Sequence, residues 1–170
     1  MSTINERRYV RVKCLTPASF EYRGNSYEGT IRDVSLCGTF VLSPLPVEMD
    51  EKVKIETKLP ECEPVTLRGR IVRIVLPNRI TQDPVTDTQA GFGVDFGAVP
   101  LATREAIDGY VRLMFRTFRK LQFELSRADV SQDAIQELLH QTYLPKRSYS
   151  VDALKDLVAA ELKGFRLRPV

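Results

Sequence analysis

Phe20-Glu21-Tyr22-Arg23-Gly24-Asn25-Ser26-Tyr27 is the stretch that decides the fold class. Arg23-Gly24-Asn25-Ser26 carries the polar, glycine-bearing signature of a hairpin turn, and aromatic residues alternate with polar ones on either side of it. The same period of two runs outward in both directions. It passes through Val10-Val12-Cys14 and Phe20-Tyr22 before the turn. After the turn it continues through Tyr27 to Val34, Thr39 to Leu42, Val53-Ile55-Thr57, Val65 to Leu76 and Gly91 to Phe96. No helical pattern separates these segments, so nothing could carry a parallel crossover. Six or seven short strands of this kind predict a mainly β, antiparallel barrel or sandwich. Gly69 interrupts the longest segment, where the apolar phase shifts from Val65 and Leu67 to Val72, Ile74 and Leu76. A bulge or bend near Gly69 would account for the shift. Pro77 to Gln89 is a long polar connection, in which Arg79 reads as a solvated side chain.

At Pro100 the period changes. Ile107, Val111, Met114, Phe118, Leu121 and Leu125 alternate spacings of four and three, which draws one apolar stripe along a helix predicted at about 103–127. Tyr110, Phe115 and Phe123 widen the stripe, and Thr103 is its expected N-cap. Two shorter helices are predicted at about 131–143 and 150–164, capped by Ser131 and Ser150 and joined through Leu144-Pro145-Lys146-Arg147-Ser148. The chain therefore divides into a β unit over about 1–100 and an α-helical extension over about 101–170. A stripe this regular must be covered by the barrel, by another helix or by a second copy, which makes a homodimer through the long helix one expectation. Arg112, Arg116 and Arg119 lie on the opposite, solvated side. Their charge density falls far below that of a nucleic-acid-binding helix.

Composition narrows the function classes. A net charge of +3 over 170 residues gives no general drive toward nucleic acid. The opening Met1-Ser2-Thr3-Ile4-Asn5-Glu6 lacks the apolar core of a signal peptide, and no later run approaches the ~18 apolar residues that span a bilayer, so the expected location is the cytoplasm. Cys14, Cys37 and Cys62 are odd in number and in no CxxC pair, which argues against a disulfide framework or a zinc site and for reduced, mostly packed thiols. With His140 the sole histidine, a catalytic triad or imidazole metal site has little to draw on. Neither paired acids, nor an activated nucleophile, nor a phosphate-cradling glycine loop followed by Lys is present, so an enzyme is not expected.

Two polar clusters remain. In Arg32-Asp33-Val34-Ser35-Leu36-Cys37-Gly38-Thr39-Phe40-Val41, a strand passes through a tight turn into the next strand. Asp33 there offers acceptor oxygens, Ser35 a hydroxyl and Gly38 a backbone open to close approach. Arg7, Arg8 and Arg11 precede the first strand. A guanidinium can pair bidentately with guanine O6 and N7 or with phosphate, and can stack on a base. Guanine N1 and N2 are donors suited to a carboxylate. If the arginine segment folds over the edge holding Asp33 and Ser35, a ligand with two guanines and two phosphates would engage both sets of groups.

These residues resemble the PilZ domains, which bind the bacterial second messenger cyclic di-GMP. Arg7-Arg8-Tyr9-Val10-Arg11 matches the family's RxxxR, Asp33-Val34-Ser35-Leu36-Cys37-Gly38 its [D/N]xSxxG, and Gly91-Phe92-Gly93-Val94-Asp95-Phe96 is similar to its GxGVxF strand. The resemblance covers roughly residues 5 to 100. It implies a small antiparallel β-barrel followed by the helical extension, with no cofactor besides the ligand. Arg7 and Arg11 would hold phosphate and guanine with Arg8 as a third donor, Asp33 and Ser35 would bond the other guanine, and Gly38 would allow close approach. Glu6 stands where the family often has a further Arg, which favours one ligand per domain over an intercalated pair. The implied role is a receptor whose arginine segment orders on the ligand and alters a surface read by a protein partner, in motility, secretion or biofilm control. The rival reading is a self-associating or adaptor scaffold acting through the helices.

Overall fold

The computed structural model describes residues 9–76, 89–144 and 148–165. Among these, strands β1 (Val12–Tyr22), β2 (Asn25–Val34), β3 (Gly38–Leu42), β4 (Lys52–Thr57), β5 (Val65–Val75) and β6 (Gly91–Asp95) form a closed antiparallel barrel in the order β1-β2-β3-β6-β5-β4. Val12, Cys14, Phe20 and Tyr22 belong to one strand, with Val10 just before it, which is why the seven alternating segments make six strands. The β1–β2 hairpin turns on Arg23 and Gly24, whose φ values of 50° and 78° are the pair of positive angles that a two-residue turn matched to strand twist requires.

Three register shifts bend the wall. One lies between Lys13 and Thr16, where Leu15 takes a φ of 45°, one between Ile31 and Asp33, and one between Ile71 and Arg73. The phase change in β5 thus falls just beyond Gly69, not at it. Gly69 serves a different need: a Cβ there would fall on the Asp95 carbonyl oxygen, so only glycine lets β6 come this close. Inside the barrel Phe20, Ile31, Val41, Ile55, Ile71 and Phe92 are buried, and Phe20 meets Phe92 edge-on at 5.2 Å between centroids.

Helix α1 (Leu101–Leu125) begins directly after Pro100, whose extended backbone at φ −56° and ψ 146° occupies the N-cap. Thr103, expected as the cap, is buried two residues inside the helix. Helices α2 (Gln132–His140) and α3 (Val151–Phe165) follow. Ser131 Oγ accepts from the Ala134 N–H at 3.3 Å and Ser150 Oγ from the Ala153 N–H at 3.2 Å, as their positions predict.

The stripe Ile107, Met114, Phe118, Leu121 and Leu125 is buried within the chain, as are Leu154, Val158 and Leu162 of α3. Phe115 and Phe123 depart from the expectation, being 42% and 63% exposed. At ~100° per residue each is rotated away from the seam on which Met114 and Leu121 sit. The Tyr110 hydroxyl donates to the Lys13 carbonyl at 2.8 Å, and Lys13 Nζ lies 3.7 Å from Glu161 Oε1, so β1, α1 and α3 meet at Lys13. No described helix is long and apolar enough to cross a membrane. Arg7, Arg8, Arg79 and most of the Pro77–Gln89 connection lie outside the described residues, as does the centre of the α2–α3 connection.

The cysteines divide. Cys14 is buried and donates to the Ile31 carbonyl at 3.6 Å, Cys62 is half-buried against the core, and Cys37 alone of the three is exposed. Burial, reinforced by the nearby Asp33 carboxylate, pushes the Cys14 thiol up to about 12. The folded chain therefore holds this proton after the unfolded chain, whose thiol titrates near ~8.5, has lost it. The stabilisation is complete below that value and is lost as pH rises toward about 12. Melting temperature should fall over this alkaline range in the wild type and fall less steeply in Cys14→Ala. Parallel circular-dichroism profiles for the two proteins would refute the assignment to Cys14.

Candidate functional site

The register that closes β1 onto β2 sets Val12 opposite Val34 and Lys13 opposite Asp33. Arg11, the residue before β1, is thereby carried to the end of β2, and its Nη1 donates to Asp33 Oδ1 at 3.0 Å. The other carboxylate oxygen, Oδ2, accepts from Arg32 Nε at 2.9 Å. The Asp33 side chain is only 8% exposed between these two cations. Each carboxylate oxygen has two acceptor directions, so this bracketing leaves capacity for further donors.

Ser35, Leu36 and Cys37 connect β2 to β3. Ser35 is buried and its hydroxyl is consumed locally, donating to the Gly38 carbonyl at 3.1 Å and accepting from the Gly38 N–H at 3.2 Å. The Ser35 N–H donates to the same carbonyl at 2.8 Å. This serine shapes the turn in the way short hydroxyl side chains do. Thr39 Oγ1 donates to the Asp33 carbonyl at 2.7 Å, fixing the residue that carries the carboxylate. Gly38 is demanded by packing: a Cβ would fall on the Val94 carbonyl oxygen across the β3–β6 pair. The Phe96 N–H donates to the Cys37 carbonyl at 2.9 Å, tying the turn to the end of β6.

Arg32 escaped the reading of the sequence. Besides holding Asp33, its guanidinium lies 4.0 Å over the ring of Phe40. That ring rests over Gly91, whose Cβ would meet it, so the glycines of β6 are the floor on which Phe40 and then Arg32 are stacked. The signal was present, since Arg32 adjoins Asp33 and Phe40 lies across the β2–β3 pair from Asp33. Arg11, Asp33, Ser35 and Gly38 are thus brought to one end of the barrel, with Arg32 as an addition. The arginine row of α1 is partly spoken for: Arg112 pairs with Asp108 at 2.8 Å and Arg119 donates to Gln122 at 3.0 Å. Among the described residues no group of three or more His, Cys, Asp or Glu could hold a metal ion.

The family model of the PilZ domain matches residues 5–113, which include this whole barrel. The chain belongs to the PilZ domain family. The match runs past residue 100 into α1, so the family pattern takes in the helix turns that seat on the barrel. No curated protein matches the chain by sequence. Among solved structures, the PilZ fold recurs in the inhibitor of motility MotI/DgrA of Bacillus subtilis, with 16% identity, a TM-score of 0.53 and coverage of 68% of this chain and 55% of that one. The complex of MrkH from K. pneumonia with cyclic di-GMP gives 19% identity, a TM-score of 0.55 and coverage of 69% and 56%. The PilZ domain of YcgR from Escherichia coli, solved with cyclic di-GMP, gives 16% identity, a TM-score of 0.50 and coverage of 68% and 99%. The chain spans about half the length of MotI/DgrA and MrkH, and nearly all of the isolated YcgR PilZ domain.

Proposed function

We propose that this PilZ protein is a cyclic di-GMP receptor, a binder and not a catalyst, which regulates a partner protein through a ligand-dependent change of shape. The observation that carries the proposal is the Arg11–Asp33 pair at 3.0 Å, which unites the arginine motif and the Asp-Ser-Gly motif across one strand register. Cyclic di-GMP is also the ligand named for the MrkH complex and the YcgR domain. Asp33 supplies the acceptor for guanine N1 and N2. Arg11, joined by Arg7 and Arg8, supplies donors for phosphate and for the Hoogsteen edge. Ser35 and Gly38 hold the turn in the shape that presents Asp33.

Ligand binding then works by exchange. Arg11 gives up part of its bond to Asp33 for phosphate, and the carboxylate takes guanine donors in return. The net gain is smaller than a count of contacts would give, because one ion pair is spent to make others. Residues 1–100 act as the reading unit, with one ligand per domain, and residues 101–170 as the extension through which a partner in motility, secretion or biofilm control is engaged. The cytoplasm, where a second messenger is made available, is the compartment this reading requires. Self-association through the long helix is the weaker reading, since its stripe is covered by the chain's own α2 and α3.

Isothermal titration tests the proposal. The wild type should bind cyclic di-GMP, and Arg11→Ala should weaken binding by about tenfold, the worth of one charge-assisted hydrogen bond at ~1.5 kcal/mol. No binding by the wild type would overturn the proposal. Undiminished affinity in Arg11→Ala would overturn the role given to Arg11.

A further inference from the structure

We propose a second recognition surface, separate from the Asp33 site: the outer wall of β4 and β5 is a docking groove for an acidic segment of a partner protein. The groove has a volume of about 580 Å³ and runs from the β1–β2 hairpin across β4 and β5 to the end of β6. Strand register arranges its rim in two rows. Glu21, Lys54 and Arg68 lie side by side on β1, β4 and β5, and Lys52, Arg70 and Asp95 on β4, β5 and β6. Each row sets two cations directly opposite one another in its middle strands and places its acid at the edge.

Like charges directly opposite in an antiparallel pair destabilise it. Here two such pairs, Lys52 with Arg70 and Lys54 with Arg68, stand next to each other on one exposed face. Their partial relief is visible. Lys54 reaches Glu56 at 2.6 Å, and the hydrogen bond and charge of Lys54, with Arg68 adding to them, hold the Glu56 carboxyl below its ordinary range. Among the described residues Arg70 donates to the Asp50 carbonyl at 3.2 Å, and Lys52 makes no ion pair. Arg23, at the hairpin end, is already held by Glu48 at 2.8 Å and Glu51 at 3.0 Å. Among the described residues Lys52 and Arg68 make no ion pair, so the quartet on β4 and β5 is only partly neutralised and forms the cationic centre of the groove.

The chemistry of the walls selects the occupant. Val72 is 49% exposed on the groove, and Phe96, Gly69 and Gly97 also line it, so it offers apolar contact between the cations. Most residues of β4 and β5 are paired in the barrel ladder, Val72 at the register shift standing apart, so the described groove offers a phosphate few backbone donors. Glu21 and Asp95 at the row ends oppose the continuous phosphate track of a nucleic acid. A short peptide with carboxylates flanking an apolar side chain complements both the quartet and the floor.

The test uses a fluorescein-labelled peptide in which pairs of glutamates flank single leucines, read by anisotropy on the full chain. The acidic peptide should bind at least about tenfold tighter than its glutamine counterpart and lose that advantage as salt rises. Amide shifts in an NMR titration should gather on β4, β5 and the Phe96–Gly97 corner. Arg68→Glu with Arg70→Glu should weaken binding by about tenfold or more while circular dichroism shows the fold retained, because each new acid faces a lysine on β4, even though the one at position 70 also stands opposite Asp95. The milder pair Lys52→Gln with Lys54→Gln should show the same loss. Equal affinity for the glutamine peptide, shifts elsewhere on the barrel, or retained affinity in both double variants would overturn the assignment. Tighter binding of an oligonucleotide of equal charge would replace the protein partner with nucleic acid and overturn it as well.

Discussion

Asp33→Ala is expected to weaken cyclic di-GMP binding by about 100-fold, more than any other single change at the site. In the proposed site the Asp33 carboxylate accepts from both guanine donors, and hydrogen bonds to a charged group are worth about 1.5–3 kcal/mol each. An opposing effect follows from the bracketing of Asp33 by Arg11 at 3.0 Å and Arg32 at 2.9 Å. Its removal frees two guanidinia beside a ligand that carries two phosphates. Partly exposed cations of this kind gain only about 1 kcal/mol or less from such contacts, and salt screens that gain. Loss of the acceptor wins, with a net penalty near ~2–3 kcal/mol, or roughly 100-fold. Titration at two salt concentrations separates the effects: what binding remains in the variant should be markedly more salt-sensitive than in the wild type. Wild-type affinity in Asp33→Ala would refute the site.

Gly38→Ala is expected to lower the melting temperature more than any other substitution in the binding motifs. The added methyl group would meet the Val94 carbonyl, a backbone atom inside the β3–β6 ladder that cannot swing aside as a side chain would. Overpacking of this kind costs about 1–3 kcal/mol, and the rigid neighbour puts this site at the upper end. In a chain of this size that corresponds to a fall of about 6–12 °C. Thermal melting by circular dichroism measures it directly. A variant that melts with the wild type but binds ligand poorly would reverse the reading, making Gly38 a contact residue and not a packing residue.

The hairpin at Arg23-Gly24, the run of six or seven alternating strand segments and the stripe of α1 were all legible in the sequence because each follows from a local period or from one turn's chemistry. The convergence of Arg11 on Asp33 was legible only as a condition that complementary chemistry suggested and the resemblance supported, since 22 residues separate them and the register that joins them is a property of the closed barrel. Ser35 and Gly38 were legible as members of a motif but not in their roles. That Ser35 spends its hydroxyl on Gly38, and that Gly38 is required by Val94, depends on which strand lies behind the turn. The quartet on β4 and β5 lay in plain view as Lys52-Val53-Lys54 and Arg68-Gly69-Arg70. Each triplet alone reads as an ordinary solvated strand face, and only the pairing of Lys52 with Arg70 turns two such faces into a concentration of charge.

Lys13 is two residues along β1 from Arg11, and three elements converge on it: it lies opposite Asp33, its carbonyl accepts from Tyr110 of α1, and its ammonium faces Glu161 of α3. It is a mechanical junction. Under the proposed exchange, a backbone rotation that began where Arg11 leaves Asp33 would reach both helices through a covalent path of two residues. Lys13 would thus couple the proposed ligand end of the barrel to both helices along a short path, beside a second tie at Cys62, whose thiol donates to the Ala106 carbonyl of α1 at 3.6 Å.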